Sequence, residues 1–275
     1  MQKILLLLTI LFNLIPFYTY SITTNKWEIN LLGSKLITYE DNNFGGISGI
    51  TLSENGNNFT LISDKSFYFK GRIVRDNLNK IIDFEIIDQG QLFSSKKENL
   101  TGRNIDSESI VEIKGNGFYI SFESNNRIMF HEDLNGPGKF LPKHPDFDKL
   151  LFNDGIEALA IKENGELFAI PELPPKGKEL HPIYRFHNNK WSIFDEIEIN
   201  EDFKVVDAEM IDDGNLLTLE RKFSFYDGFK IRLRRIIIEE NAIINSEILL
   251  ESLPWEYYNF EGLSKWKDNN GQIYL

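Results

Sequence analysis

The sequence has 275 residues, a formal net charge of −12 and no cysteine. That length is enough to bury a large core, as one big β domain or two ordinary domains. The acidic balance argues against nucleic acid or anionic lipid as a partner, since both call for a basic surface. Without cysteine there are no disulfides, thiol nucleophiles or thiolate metal sites, so stability has to come from packing. Abundant carboxylates suit a divalent cation, or simply a solvated acidic surface.

Lys3 supplies a positive start, and Ile4 to Phe17 is an apolar run broken only by Thr9, Asn13 and Pro16. Thr19-Tyr20-Ser21 then offers the small residues of a cleavage site. The pattern predicts a secretory signal peptide over residues 1–21, with residues 22–275 as one exported domain, periplasmic or secreted. No later run approaches the roughly 20 apolar residues of a spanning helix. A monomer is expected.

Downstream, Trp27–Leu32 and Lys35–Tyr39 read as two short strands around Gly33-Ser34. Gly45-Gly46-Ile47-Ser48-Gly49-Ile50 begins a unit that turns at Glu54-Asn55-Gly56 and continues through Phe59–Asp64, Ser66–Arg75 and Lys80–Ile87. A second unit starts at Asp106-Ser107-Glu108 and turns at Gly115-Asn116-Gly117 before Phe118–Glu123 and Arg127–Phe130. The third runs from Asn153-Asp154-Gly155-Ile156-Glu157 to Pro171-Glu172, with an insertion before Ile183. The fourth runs from Asp207-Ala208-Glu209 through Leu219-Glu220-Arg221 to Leu250, and a fifth opens at Asn259-Phe260-Glu261-Gly262-Leu263. Short β-branched and aromatic runs between Asn, Gly and Asp turns predict an all-β, antiparallel chain with no sustained helical period.

Glu108, Glu157, Glu209 and Glu261 recur at spacings of 49, 52 and 52 residues. A period of roughly 40–50 residues with about four strands per unit is the mark of a β-propeller. Five repeats predict five or six blades. The last is short of strands, so residues 27–39 are expected to pair with it and close the ring. A β-sandwich ranks second, because it demands no such period.

These repeats resemble the phytase-like family, described as having esterase-like activity of phytase and found in exported bacterial proteins. The resemblance lies in Gly45–Ile50 with Ile62-Ser63-Asp64, in Asn153–Ala160 with Glu172, in Asp207-Ala208-Glu209 with Leu219-Glu220-Arg221, and in Asn259–Leu263. It implies ester or phosphoester hydrolysis on a propeller. Asp64-Lys65 stands where the family has an aspartate-arginine pair, and the sequence stops at Leu275, before the family's Ser-Asp-Asp-Asn-type ending.

On a propeller the entry loops of the first strands share one face, so the repeated acids should converge there. Glu108, Glu157, Glu209 and Glu261, together with Asp64, are the candidate metal ligands, with Asp106, Asp154 and Asp207 alongside. Converging carboxylates repel unless a proton or cation intervenes, and calcium suits such a set. Equally, each glutamate could cap local backbone N–H groups, a device repeated because the blade is repeated. A second acidic group ends the second strands: Asp64, Glu123, Glu172 and Glu220. A metal-assisted hydrolase would take Glu157 and Glu209 as catalytic carboxylates and Arg221 to bear developing charge, with Lys65 and Arg103 contacting the substrate. The same bases could instead form ordinary ion pairs.

Other chemistries lack their signatures. There is no Gly-x-Ser-x-Gly elbow and no phosphate-binding glycine loop, and His131, His144, His181 and His187 lack metal-ligand spacing. Three readings remain: a calcium-dependent ester or phosphoester hydrolase, a non-catalytic periplasmic binding propeller, and a lactonase suggested by fold analogy alone.

Overall fold

The computed structural model describes residues 27–275. The expected signal peptide lies outside them. Among the described residues no helix is long and apolar enough to cross a membrane.

Four sheets carry the fold, each a meander of four consecutive antiparallel strands. The first holds β1 (Ile47–Leu52), β2 (Asn58–Ser63), β3 (Phe67–Arg75) and β4 (Ile81–Gln91). The second holds β5 (Ser107–Ile113), β6 (Gly117–Phe122), β7 (Arg127–His131) and β8 (Lys139–Phe140). The third holds β9 (Ile156–Ile161), β10 (Leu167–Pro171), β11 (His181–His187) and β12 (Lys190–Ile197). The fourth holds β13 (Lys204–Asp212), β14 (Asn215–Ser224), β15 (Gly228–Glu239) and β16 (Ala242–Glu251). Burial falls outward within each sheet: β9 and β10 are almost wholly buried, whereas β12 and β16 are largely exposed. The first strands lie side by side in the order β1, β5, β9, β13, so the sheets are blades of a propeller.

Apolar side chains fill the space between neighbouring blades. Ile62, Tyr68 and Leu92 meet Ile110, Ile120 and Phe122 between the first and second. Val111 and Ile128 meet Ile156, Leu159 and Tyr184 between the second and third, and Ala158, Phe168 and Ile170 meet Val205, Met210 and Ile236 between the third and fourth. Each blade thus buries both faces only where it has a neighbour.

Among the described residues the expected fifth or sixth blade and the closed ring are not formed: there are four blades. Residues 27–46 form no strand, and the fifth repeat yields only the two-residue strands β17 (Trp266–Lys267) and β18 (Ile273–Tyr274). Rather than adding strands to a blade, the described segments before β1 and after β16 cover faces. Ile37 and Phe44 pack on Phe59, Leu61 and Phe69 of the first blade, while Tyr257 and Leu263 pack on Val206, Leu219 and Ile231 of the fourth. Leu31 and Leu36 stay exposed, so Trp27–Tyr39 has too few buried side chains to be held as sheet.

Residues 261–265 still reach both flanking blades. The Leu52 N–H donates to Ser264 Oγ at 3.0 Å, and the Leu263 N–H donates to Asp207 Oδ2 at 2.7 Å. Asp207 is buried and also accepts from Ser109 Oγ and the Ala208 N–H, both at 2.9 Å. Ser109 Oγ in turn accepts the Leu159 N–H at 3.2 Å. One carboxylate therefore links β5, β9, β13 and the C-terminal segment.

Asp207→Ala removes that acceptor and strands buried donors, so it should cost about 2 kcal/mol or more. Denaturant unfolding measures the loss, and amide exchange at Leu263 should quicken with it. Unchanged stability would show that the network is redundant.

Candidate functional site on the entry face

Every first strand begins with the same irregularity. Register shifts fall between Ile47 and Gly49, between Ser107 and Ile110, at Ile156 opposite Pro171, and between Val205 and Asp207. A bulge leaves a residue unpaired and re-aims its side chain. The residues caught there are Ser48, Glu108 with Ser109, Glu157 and Val206. Just beyond the second strands, the N–H groups of Asp64, Glu123 and Glu172 donate to the carbonyls of Gly46, Asp106 and Gly155, each at 2.8 Å. In the fourth blade the corresponding pair is Arg221 opposite Lys204. Three blades thus present acids at this level and the fourth presents bases.

The densest group is Asp106, Glu108 and Glu123, each with one carboxylate oxygen within 4.8 Å of the others. Oxygens that share an ion at 2.3–2.6 Å lie no more than about 5 Å apart, so this donor set fits a hard cation. Glu123 also accepts the Gly155 N–H at 2.9 Å, which fixes its side chain between blades. Asp64 sits alongside Gly46, where an added Cβ would lie 2.4 Å from Asp64 Oδ1. Gly46 has φ +58°, a conformation that favours glycine, and a Cβ there would displace the Asp64 carboxylate.

Crowding and burial work together on these acids. Burial pushes Glu108 up to about 9, with repulsion from Glu123 and Asp106 adding to it. Burial takes Glu123 to about 7, against the pull of the Gly155 N–H. Glu157 is raised well above the ordinary range by burial and then by Glu108 and Glu172. Glu172 is raised by burial and by sharing a hydrogen bond with Asp154, while Lys204 pulls it down. Lys204 bonds Asp154 at 2.7 Å and Glu172 at 3.0 Å, and these partners raise it despite partial burial.

Arg221 completes the rim. It reaches Glu172 at 3.4 Å, Asn259 at 2.7 Å and Glu261 more closely still. Asp64, Glu108, Glu157, Glu261 and Arg221 therefore share one face. Glu209 is elsewhere. Its carboxylate is 3.7 Å from Lys265 Nζ, burial raises it to about 7, and it lines a cavity of about 360 Å³ with Glu112, Glu163 and Trp266 at the far ends of β5 and β9. Lys65 is exposed next to Asp64, and exposed Arg103 lays its guanidinium 5.1 Å from the Phe152 ring. Glu220, one residue before Arg221, turns into the fourth blade and pairs with Arg234 at 2.5 Å.

Lys204 is the residue that sequence reading missed. Aligning the blades on glutamate hid it, and only the β13–β14 register sets it opposite Arg221.

Four meandering blades with a carboxylate-lined entry face define a β-propeller with a candidate cation site. The chain belongs to the phytase-like family, described as esterase-like activity of phytase, whose model matches residues 42–275. No curated protein matches it. Among solved structures it is similar to the extracellular domain of a putative hybrid two-component system from B. thetaiotaomicron. That match has 13% identity and a TM-score of 0.42, covering 86% of this chain and 26% of the other. It is also similar to a protein of unknown function from B. thetaiotaomicron VPI-5482, at 10% identity and a TM-score of 0.42, covering 62% of this chain and 44% of the other. The chain thus spans less than half the length of either, and similarities this weak carry no argument about activity.

Glu108 and Glu123 hold protons in the folded protein at pH values where the unfolded chain has released them. Their stabilising contribution is full below the ordinary carboxyl range and is lost as pH rises through about 7 and then about 9. Metal-free protein should melt at a lower temperature at pH about 9.5 than at pH about 6, and calcium should raise the melting temperature more at the higher pH. Melting that is flat across this window, with and without calcium, would contradict the crowding.

Proposed function

We propose that this is an exported hydrolase of ester or phosphoester bonds, assisted by a divalent cation, with its reaction site on the entry face. The single observation that carries the reading is the Asp106–Glu108–Glu123 carboxylate set beside Arg221 and Lys204. Family membership supplies the reaction class. Asp106, Glu108 and Glu123 would hold the ion, with calcium the best match to flexible carboxylate ligands. When bound, such an ion polarises an ester or phosphoryl oxygen and makes water a better nucleophile.

The remaining work falls to the chain's own groups. Arg221 and Lys204 neutralise negative charge that develops on the substrate oxygen, and Lys65 at the rim draws an anionic substrate in. Glu157, raised well above the usual range, keeps a proton at its carboxyl and stands as the acid that can pass it to a departing oxygen. Glu261 and Asn259 hold the Arg221 guanidinium in place. Glu209 in this reading serves the fold through Lys265.

The test uses purified full-length protein with a chromogenic carboxylester and a chromogenic phosphomonoester, with and without calcium. Glu108→Gln should abolish the calcium-induced rise in melting temperature, and Arg221→Ala should cut kcat/KM by about 100-fold or more. A wild-type protein with no calcium response and no turnover on either substrate would overturn the proposal.

A non-catalytic binding propeller is the second reading. It is favoured by one observation: Arg221 and Lys204 already have carboxylate partners in Glu172, Glu261 and Asp154. An intact fold that binds calcium yet turns over neither ester would decide for it.

A further inference from the structure

The inner strands enclose a second concavity at the end opposite the entry face, and Glu209 belongs to it. Its volume is about 360 Å³, and its apolar wall includes Ile50, Leu52, Ile110, Ile113, Ile161 and Trp266. Small-molecule sites run from about 300 to 1,000 Å³ and combine apolar walls with a few convergent polar groups. The cavity at the far end has both the size and the make-up.

The C-terminal segment supplies one wall, and that wall is held from several sides. The Trp266 ring stacks on Tyr274 with centroids 4.3 Å apart, and the Arg75 guanidinium lies 4.5 Å from the same ring. Tyr274 Oη accepts from Asn79 Nδ2 at 2.8 Å. The Lys267 N–H donates to the Glu54 carbonyl at 3.4 Å, and Ser264 is tied to Leu52. The short strands of the fifth repeat thus fix a wall against the first blade, and the cavity is formed before any ligand enters it.

The polar groups inside it are unequally satisfied. Glu209 accepts the Lys265 N–H at 3.3 Å, a long bond, and keeps a side chain 17% exposed. The Lys265 ammonium donates to the carbonyls of Met210 and Ile211 and stands 3.7 Å from Glu209. The lysine's donors are therefore aimed at backbone, whereas the carboxylate has acceptor capacity to spare. Half-buried Glu112 adds a second carboxylate to the lining. Charges at the mouth balance: Lys114 pairs with Glu54 at 3.1 Å, and Lys162 and Lys267 stand with Glu163. A spare carboxylate beside an apolar wall selects a ligand that brings its own donors and a positive charge. We propose that this cavity is a second ligand site, taking a primary organic ammonium with an apolar body, an alkylamine or arylalkylamine. The ammonium donates to Glu209, and the body lies along the isoleucine wall. This site is separate from the entry face and does not depend on the hydrolytic reading.

Calorimetric titration of the full-length protein compares two probes of the same size, phenethylamine and 2-phenylethanol. The wild type should bind the amine about tenfold more tightly than the alcohol, as a charge-assisted hydrogen bond provides. Glu209→Gln keeps the shape and removes the charge, so it should weaken amine binding about tenfold and leave alcohol binding unchanged. Ile113→Trp fills the cavity and leaves Glu209 in place, and it should abolish binding of both probes. Amine affinity should be the same with and without calcium, because the entry-face acids play no part. Equal affinity for the two probes, or an amine affinity unchanged in either folded variant, would overturn the proposal. So would competition between calcium and the amine, or a wild type that does not bind the amine.

Discussion

The carboxylate of Asp207 is where the second, third and fourth blades and the C-terminal segment meet. A buried carboxylate is expensive to desolvate, and burial raises its pKa well above the ordinary range. Its hydrogen bonds to Ser109, Ala208 and Leu263 offset that cost, and they come from different parts of the chain. Apolar packing between blades is tolerant of small shifts, as sheet-on-sheet contact generally is. Three hydrogen bonds converging on two oxygens are not. The inner strands are therefore held at one relative height, and the entry-face acids depend on that height being fixed. With no fifth four-stranded blade among the described residues to lock the first blade to the fourth, the link through Leu263 and Ser264 carries more of the alignment than it would in a closed ring.

The four blades were legible because each is a local meander with its own turn residues and a common period. The ends of the chain were harder. Trp27–Leu32 and Lys35–Tyr39 have strand-like composition, but composition does not distinguish an edge strand from a segment that lays Ile37 and Phe44 over a neighbouring sheet face. Only the partner surface decides, and that surface is formed by residues distant in sequence. The fifth repeat misled for a similar reason. Its Asn259–Leu263 matches the opening of a blade, yet the strands that follow are two residues each.

The site was legible as chemistry more than as geometry. Repeated acids did predict a crowded carboxylate face, and Glu108, Glu157 and Glu261 lie on it. Equal spacing was a poor guide to register. Glu209 has the right interval from Glu157, but the bulge at the start of β13 places Val206 in the position that Glu108 and Glu157 occupy. In a strand, a slip of one residue reverses the face and a slip of two or more changes the height. The same logic separates Glu220 from Arg221: adjacent in sequence, one is buried against Arg234 and the other reaches the rim. Lys204 gave no signal of its own, because a lysine opening a strand is unremarkable until its cross-strand partner is known.

The replacement of acids by bases in the fourth blade has a consequence for any molecule arriving at the entry face. Asp64, Asp106 and Glu123 lie toward one side of that face, and Lys204 and Arg221, whose charges offset those of Asp154, Glu172 and Glu261, lie toward the other. The potential across it is therefore a gradient and not a uniform well. A symmetric dianion would be drawn off centre, toward the fourth blade. A molecule with a charged end and a neutral end would be turned before it made contact, its anionic group facing Arg221 and its uncharged body trailing outward. Orientation would thus be set by the field over several ångströms, ahead of any hydrogen bond, and it would weaken as salt shortens the reach of that field.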